Sequence, residues 1–241
     1  MNEVAVWCVG ITRTSVKTVY DIMKSIAAFI LILISLSVSG QDSWKNIYRE
    51  SAWAERDTWQ RADDIIKLLK IKPGSHVADI GCHEGYMTIK LSREVNGKGM
   101  VYAVDVEQGK LDLLKKHLAE RKIENVNLIK GDYDDPKLPA NSLDAVIILD
   151  TYHEMDDHDK ILQHVMASLK YGGRLILCEP IAEARKKLTR AEQEKKHELG
   201  MNFALEDLKK AGFDIIVQKD PFIDRDKVKG DMMWIIVAQK K

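Results

Sequence analysis

The chain has 241 residues, 37 Lys and Arg against 37 Asp and Glu, and a hydrophobic fraction of 45%. That length suits one globular domain after any leader is set aside. The even charge balance gives no basic surplus to draw nucleic acid or an anionic membrane, and three cysteines make no disulfide framework.

The first predicted element is a targeting segment. Ser25 to Gly40 carries no charge, and Ile26 to Leu36 is almost wholly apolar. The run is shorter than the roughly 20 residues of a comfortable bilayer span. Lys24 precedes it, and Val38-Ser39-Gly40 supplies small residues for cleavage before Gln41, the pattern of a secretory signal. A retained membrane anchor is the competing reading. Met23-Lys24 is a natural start for such a signal, so residues 1–22 read as an upstream extension. On this division residues 1–40 are leader or anchor and residues 41–241 the working domain. The expected placement is periplasmic or secreted, or membrane-anchored in the alternative, with membrane contact only through this segment. Oligomeric state is left open.

Strand and helix patterns then alternate. Trp59, Ala62, Ile66 and Leu69 form a helical stripe over Trp59 to Lys70, predicted to cover the sheet edge. Val77 to Ile80 is a short buried strand after the Pro73-Gly74 turn, and Met87, Ile89 and Leu91 open a helix behind Gly85. Gly99 to Val104 is a second strand, Lys110 to Arg121 a helix and Val126 to Lys130 a third strand. Leu143 to Leu149 is apolar enough to be buried on both faces. Asp157 to Leu169 is a helix capped by Asp156 and Asp157 and closed by Lys170-Tyr171-Gly172-Gly173. Arg174 to Cys178 is a fifth strand; after a helix over Ala204 to Ala211, Phe213 to Gln218 and Met232 to Ala238 are the last two. This alternation predicts an α/β fold, a doubly wound, mostly parallel seven-stranded sheet. Cys82 and Cys178, at two strand ends, read as buried free thiols.

The most informative stretch is Asp79-Ile80-Gly81-Cys82-His83-Glu84-Gly85. Gly81 and Gly85 permit a turn that brings backbone close to a ligand, and the helix behind it offers N-terminal amides to an anionic group. A dinucleotide site usually reads G-x-G-x-x-G without the preceding acid. The frame D-x-G-x-x-x-G instead suits a ligand bearing both an amino group and a carboxylate. Asp105 ends the second strand, where a carboxylate meets ribose hydroxyls. Asp132 follows the third, placed to accept from an exocyclic amine, with Tyr133 beside it to lie against a purine. Amino acid, ribose and adenine together outline S-adenosylmethionine.

With these motifs, Arg56 to Lys241 resembles a class I S-adenosylmethionine-dependent methyltransferase. The likeness is greatest to a small bacterial group with R-D-x-W-Q before the first strand and D-T-Y-H after the fourth, here Arg56-Asp57-Thr58-Trp59-Gln60 and Asp150-Thr151-Tyr152-His153. The resemblance implies that Asp79, Gly81, His83 and Gly85 form the methionine loop, that Asp105 takes the ribose, that Asp132 and Tyr133 take the adenine, and that Asp150 lines the cofactor site. It also implies a sheet whose last two strands are an antiparallel pair, and a flap over the substrate after strand five. The family usually carries glycine where this chain has His83, so the loop must house an imidazole.

Chemistry is expected where strands one and four diverge. His153 has the intrinsic pKa of a general base; the alternative is a histidine that bonds backbone and shapes the pocket. Tyr152 is read either as a gate for the methyl group or as packing. Arg185 to Glu198 reads as a solvated mixed-charge helix, and its place after strand five makes Arg190 and His197 candidates for acceptor contacts. His153-Glu154-Met155-Asp156-Asp157-His158 looks like a zinc H-E-x-x-H, but its histidines are five apart, and no metal is expected there. Three functions stand: transfer to a small molecule, transfer to a protein or envelope component, and S-adenosylmethionine binding without catalysis.

Overall fold

The computed structural model describes residues 47–241. The expected signal or anchor segment lies outside them. No helix among the described residues is long and apolar enough to cross a membrane.

Seven strands form one sheet in the order β3-β2-β1-β4-β5-β7-β6. They are β1 (His76–Ile80), β2 (Met100–Asp105), β3 (Val126–Lys130), β4 (Leu143–Leu149), β5 (Leu169–Ile181), β6 (Asp214–Arg225) and β7 (Asp231–Gln239). β1 to β5 pair in parallel, whereas β7 runs antiparallel to both β5 and β6. This is the predicted doubly wound sheet with its antiparallel end.

The period of two along each strand divides the core. In β4, Val146 and Ile148 share a cluster with Ile161, Leu162 and Val165 of α5 (His158–Ser168) and Leu208 of α7 (Met201–Lys210). Ala145, Ile147 and Leu149 share the opposite cluster with Ile65, Ile66 and Leu69 of α2 (Ala62–Leu69) and Met87 and Leu91 of α3 (Tyr86–Val95). β4 is thus buried on both faces, as its unbroken apolar run requires. Ile89, Ala103 and the Leu111, Leu114 and Leu118 stripe of α4 (Gln108–Glu120) make a third cluster. Cys82 and Cys178 are buried free thiols.

Four local expectations are corrected. The helix predicted over Trp59 to Lys70 is two helices, α1 (Trp53–Trp59) and α2, because Arg61 between them takes a left-handed backbone, φ 55°. The α2 stripe packs on a sheet face rather than an edge, sharing its core with Ile176 and Val237. Lys170 to Gly173 do not close α5. That helix passes directly into β5, and Gly172, at φ 77°, donates from its amide to Lys240 O at 2.9 Å, so the glycines form a bulged strand start. The mixed-charge stretch holds only a five-residue helix, α6 (Arg190–Glu194), closed by a Thr189–Glu192 capping box. Asp157 does cap α5, accepting from Lys160 N at 3.1 Å. The short α8 (Asp226–Lys229) joins β6 to β7.

Candidate active site

The glycine turn between β1 and α3 is set by backbone. Gly81 and Gly85 have φ of 76° and 99°, a region that suits residues without a Cβ. A Cβ on Gly81 would strike the Thr151 side chain, and one on Gly85 would strike Leu114. His83 sits between them at φ 49°. That conformation explains a glycine at this position in the resembling family, and here an imidazole occupies it. The turn is tied to the end of β2: Gly81 and Cys82 donate to Val104 O at 2.9 and 3.0 Å, and His83 N donates to Asp105 Oδ2 at 2.9 Å. Glu107 N donates to Asp105 Oδ1 at 2.8 Å, which fixes the carboxylate plane.

Asp79 is buried beneath the turn and accepts from Thr88 Oγ1 at 2.6 Å. Burial pushes its pKa up to about 6, against the pull of the Thr88 hydrogen bond and the Arg56 charge. Burial, with the charges of Lys110 and Arg56, lowers the His83 imidazole to about 4, so it is neutral near pH 7. The R-D-x-W-Q segment lies over the same turn. Arg56 is buried with its guanidinium 4.1 Å from the Tyr86 ring centroid and donates to Gln60 Oε1 at 3.0 Å. Asp57 accepts from Tyr86 at 2.7 Å and pairs with Lys90 at 2.8 Å. Asp132 and Tyr133 stand apart, at the open end of β3. Asp132 pairs with Lys137 at 2.9 Å, and Tyr133 is 64% exposed.

Across the sheet, the β4 edge is held by ion pairs. Asp150, at φ 55°, accepts from Tyr48 at 2.5 Å and from Arg225 at 2.6 Å through the same Oδ2. Burial would raise its pKa, but the charges of Arg225, Lys229 and His153 and the Tyr48 hydrogen bond together outweigh that and keep the carboxyl well below the ordinary range. Arg225 is wholly buried and grips Asp231 in a two-pronged pair at 2.6 and 2.9 Å. Glu179, at the end of β5, accepts from the amides of Thr151 and Tyr152 at 2.7 and 2.8 Å, and its Oε2 lies 2.5 Å from His153 Nδ1. The other ring nitrogen of His153 lies 3.2 Å from Glu154 Oε1. Burial alone would lower the His153 pKa, but Glu179 and Glu154 carry it up to about 10. In this arrangement the ring holds a proton between carboxylates and does not offer itself as a base.

Tyr152 is fully buried, donates to Asp207 Oδ2 at 2.9 Å and stacks edge-on with His158 at 4.5 Å. Its geometry is that of packing, not of a gate. Arg190 grips the same Asp207 at 3.0 and 2.8 Å and Glu194 at 2.8 Å, so its donors go to the protein's own carboxylates. His197 Nδ1 lies 2.5 Å from Glu154 Oε1. The segment between β5 and α7 is stapled down: Leu199 N donates to Pro180 O, Trp234 Nε1 donates to Leu199 O at 2.6 Å, and buried Glu198 pairs with Arg185.

The structure thus gathers Asp79, Gly81, His83, Gly85 and Asp105 at one turn, and Asp150, His153 and His197 at the neighbouring edge. Thr151 against Gly81 is the junction. The sequence reading misses Arg56 as a buried cation, Glu179 and Arg225. Glu179 carried a usable signal, an acid directly after an apolar run, as Asp105 is.

Two buried side-chain atoms lack a hydrogen-bond partner among the described residues, His83 Nδ1 and Asp150 Oδ1. Orphaned buried polar atoms are uncommon. One belongs to the glycine turn itself and the other to the neighbouring β4 edge, and both fit a polar ligand bound at their junction.

Known proteins resemble this chain. Residues 71–220 match the family model described as methyltransferase domain. The ubiquinone/menaquinone biosynthesis C-methyltransferase of Vibrio cholerae is 31% identical over 134 residues, 54% of this chain and 51% of that protein. Aklanonic acid methyltransferase of Streptomyces sp. strain C5 is 29% identical over 120 residues, 50% of this chain and 54% of that protein. The chain therefore spans about half the length of the curated relatives it matches. A crystal structure of a SAM-dependent methyltransferase from Aquifex aeolicus superposes with a TM-score of 0.67 at 21% identity, covering 82% of this chain and 97% of that one. The last likeness establishes the fold, and the family model, matching well over half the chain, establishes membership: this chain belongs to the methyltransferase domain family.

Proposed function

We propose that the chain transfers a methyl group from S-adenosylmethionine to a small-molecule acceptor by direct displacement. The carrying observation is the glycine cradle of Gly81 and Gly85, set between buried Asp79 and the backbone-clamped Asp105. S-adenosylmethionine supplies the electrophilic methyl group. Asp79 is the partner for its ammonium, Asp105 for the ribose hydroxyls, and Asp132 with Tyr133 for the adenine. The unpartnered Nδ1 of His83 and Oδ1 of Asp150 are further polar contacts for the same ligand. Transfer from a sulfonium asks the protein chiefly to align nucleophile and methyl carbon. The Thr151–Glu154 edge, held by Glu179, is the surface that does so. Family membership and the two small-molecule methyltransferases among the relatives support this acceptor class.

The reading includes export by residues 1–40, tested by fractionation and mass spectrometry of the N-terminus. A mature terminus near Gln41 outside the cytoplasm is the expected result; an intact leader on a purely cytosolic protein ends that part. The function itself is tested by calorimetry with S-adenosylmethionine and S-adenosylhomocysteine, followed by methyl transfer to small-molecule and envelope extracts. Binding of both ligands with label entering a small molecule is expected. Label entering only protein or envelope polymer would overturn the acceptor class, and binding without any transfer would overturn the catalytic reading.

A further inference from the structure

The carboxylate and imidazole groups beside the β4 edge form a set that methyl transfer by itself does not call for. His153, Glu154 and His197 each bring one donor atom to within 4.8 Å of the other two. Glu154 Oε1 lies 3.2 Å from His153 Nε2 and 2.5 Å from His197 Nδ1. The first two residues come from the turn after β4, and the third comes from the loop after α6, so three ligand atoms converge from two separate segments. We propose that His153, Glu154 and His197 bind a divalent first-row transition metal ion of the Zn2+ or Co2+ kind.

The surroundings of His153 carry the argument furthest. A metal-bound imidazole characteristically donates its other N–H to a carboxylate, which fixes the tautomer and aims the lone pair. Glu179 meets that requirement: its Oε2 is 2.5 Å from His153 Nδ1, and its Oε1 is held by the amides of Thr151 and Tyr152. Nε2 is thereby left to face Glu154 and His197. An ion there replaces the proton that otherwise lies between Nε2 and Glu154. The donor set decides the class of metal. Two imidazoles and one carboxylate suit zinc, cobalt or iron, whereas magnesium and calcium take oxygen ligands. Three protein ligands also leave coordination positions open. Here the opening faces solvent, because the His153 side chain is buried while those of Glu154 and His197 are half exposed.

A second trio, Asp150, His153 and Glu179, also lies close enough to share an ion. It is the weaker candidate, since Asp150 Oδ2 is committed to Arg225 and Tyr48 and Glu179 to two backbone amides. The outer trio also ties the loop after α6 to the β4 edge, within the surface assigned to the acceptor. Its existence does not depend on the methyl-transfer reading.

The test uses the full-length, untagged protein, stripped with a chelator, exchanged into metal-free buffer and titrated with Co2+. One equivalent should bind with the visible d–d absorption of a low-symmetry site, Zn2+ should displace it, and millimolar Mg2+ should not. Glu154→Gln and His197→Ala change exposed side chains, and each should weaken Co2+ binding by at least about tenfold, the low end of what loss of even an outer contact to a metal ligand produces. His197→Cys should add a thiolate-to-cobalt charge-transfer band, a gain of signal that an unfolded protein would not give. Absence of one-equivalent binding in the parent, unchanged affinity in both substituted proteins, or a His197→Cys spectrum without the new band would each overturn the site.

Discussion

The two halves of the candidate site are built from different materials. The cofactor half, from β1 to β3, is set mainly by backbone: left-handed turns at Gly81, His83 and Gly85, and peptide amides that clamp Asp105. The acceptor half, at the ends of β4 and β5, is set by charged side chains meeting across long stretches of chain. Glu179 meets His153 across 26 residues, and Arg225 meets Asp150 across 75. A site of the first kind depends on which residue types tolerate a backbone shape. The second kind depends on buried charges remaining paired, so losing one partner there is costly. The two halves should therefore fail in different ways.

The largest effect is expected at Glu179. Glu179→Ala leaves buried His153 without its main counter-charge and strips the amides of Thr151 and Tyr152 of their acceptor. Breaking a buried pair in this way costs about 3 to 5 kcal/mol. Urea unfolding should show that loss, with a smaller one for Glu179→Gln, which keeps an acceptor for the amides. A loss below about 1 kcal/mol, the range of an exposed pair, would break the comparison, because the edge would then be held by something other than charge.

The cofactor half should lose affinity before it loses stability. Asp105→Ala removes a charged acceptor for the ribose, an interaction worth about 1.5 to 3 kcal/mol. The expected result is a roughly 10- to 150-fold weaker Kd for S-adenosylmethionine by calorimetry. Unchanged affinity would place the ligand elsewhere.

The same contrast explains what was legible in the sequence. Gly81 and Gly85 announce their turn because a positive φ is a local demand that few residue types meet, and the strand-end acids Asp79 and Asp105 stand out against apolar runs. The strand pattern followed from periodicity, since burial on one face or two writes itself into residues two apart, and the doubly wound sheet followed from the alternation of strands with helices; the antiparallel last pair came with the family resemblance. Arg225 left no such trace: its partners Asp150 and Asp231 are fixed only when β6 and β7 fold beside β4 and β5. Arg61 and Gly172 show the limit of local reading. A left-handed arginine interrupts an otherwise helical stripe without a change in composition, and a glycine pair after a helix is read as a stop when it is in fact a bulged strand start. His153 stayed open for a related reason. Its loop position allowed either a base or a pocket-shaping histidine, while its burial between Glu179 and Glu154 is a tertiary fact.

Asp79 gives a pH test with two opposite signs. Its folded pKa, about 6, stands above the ordinary 3.8. The folded state therefore holds the proton more tightly than the unfolded state, and the contribution of this group to stability falls as pH rises from about 3.8 to 6, then stays level. Cofactor binding runs the other way, because the ligand's ammonium needs the carboxylate. Affinity should drop up to about tenfold per pH unit below pH 6 and level off above it. Calorimetry between pH 5 and 7.5 measures the second trend, and Asp79→Asn should remove both trends. A pH-independent Kd in the parent would show that Asp79 does not meet the ammonium.

The smallest effect is expected at Tyr133, where the two kinds of construction can be told apart most finely. Its ring is 64% exposed at the end of β3, so it contributes little to folding. Tyr133→Ala should change stability by no more than about 0.5 kcal/mol, the usual range for a surface position. Against a purine, however, an aromatic face contributes about 0.5 to 1.5 kcal/mol. S-adenosylmethionine should then bind roughly two- to tenfold more weakly, while Tyr133→Phe keeps nearly full affinity because the contact uses the ring face and not the hydroxyl. The ligand should also protect the parent's tyrosine from surface iodination. Equal affinity for all three proteins, with no protection, would remove Tyr133 from the site and leave the adenine to Asp132 alone.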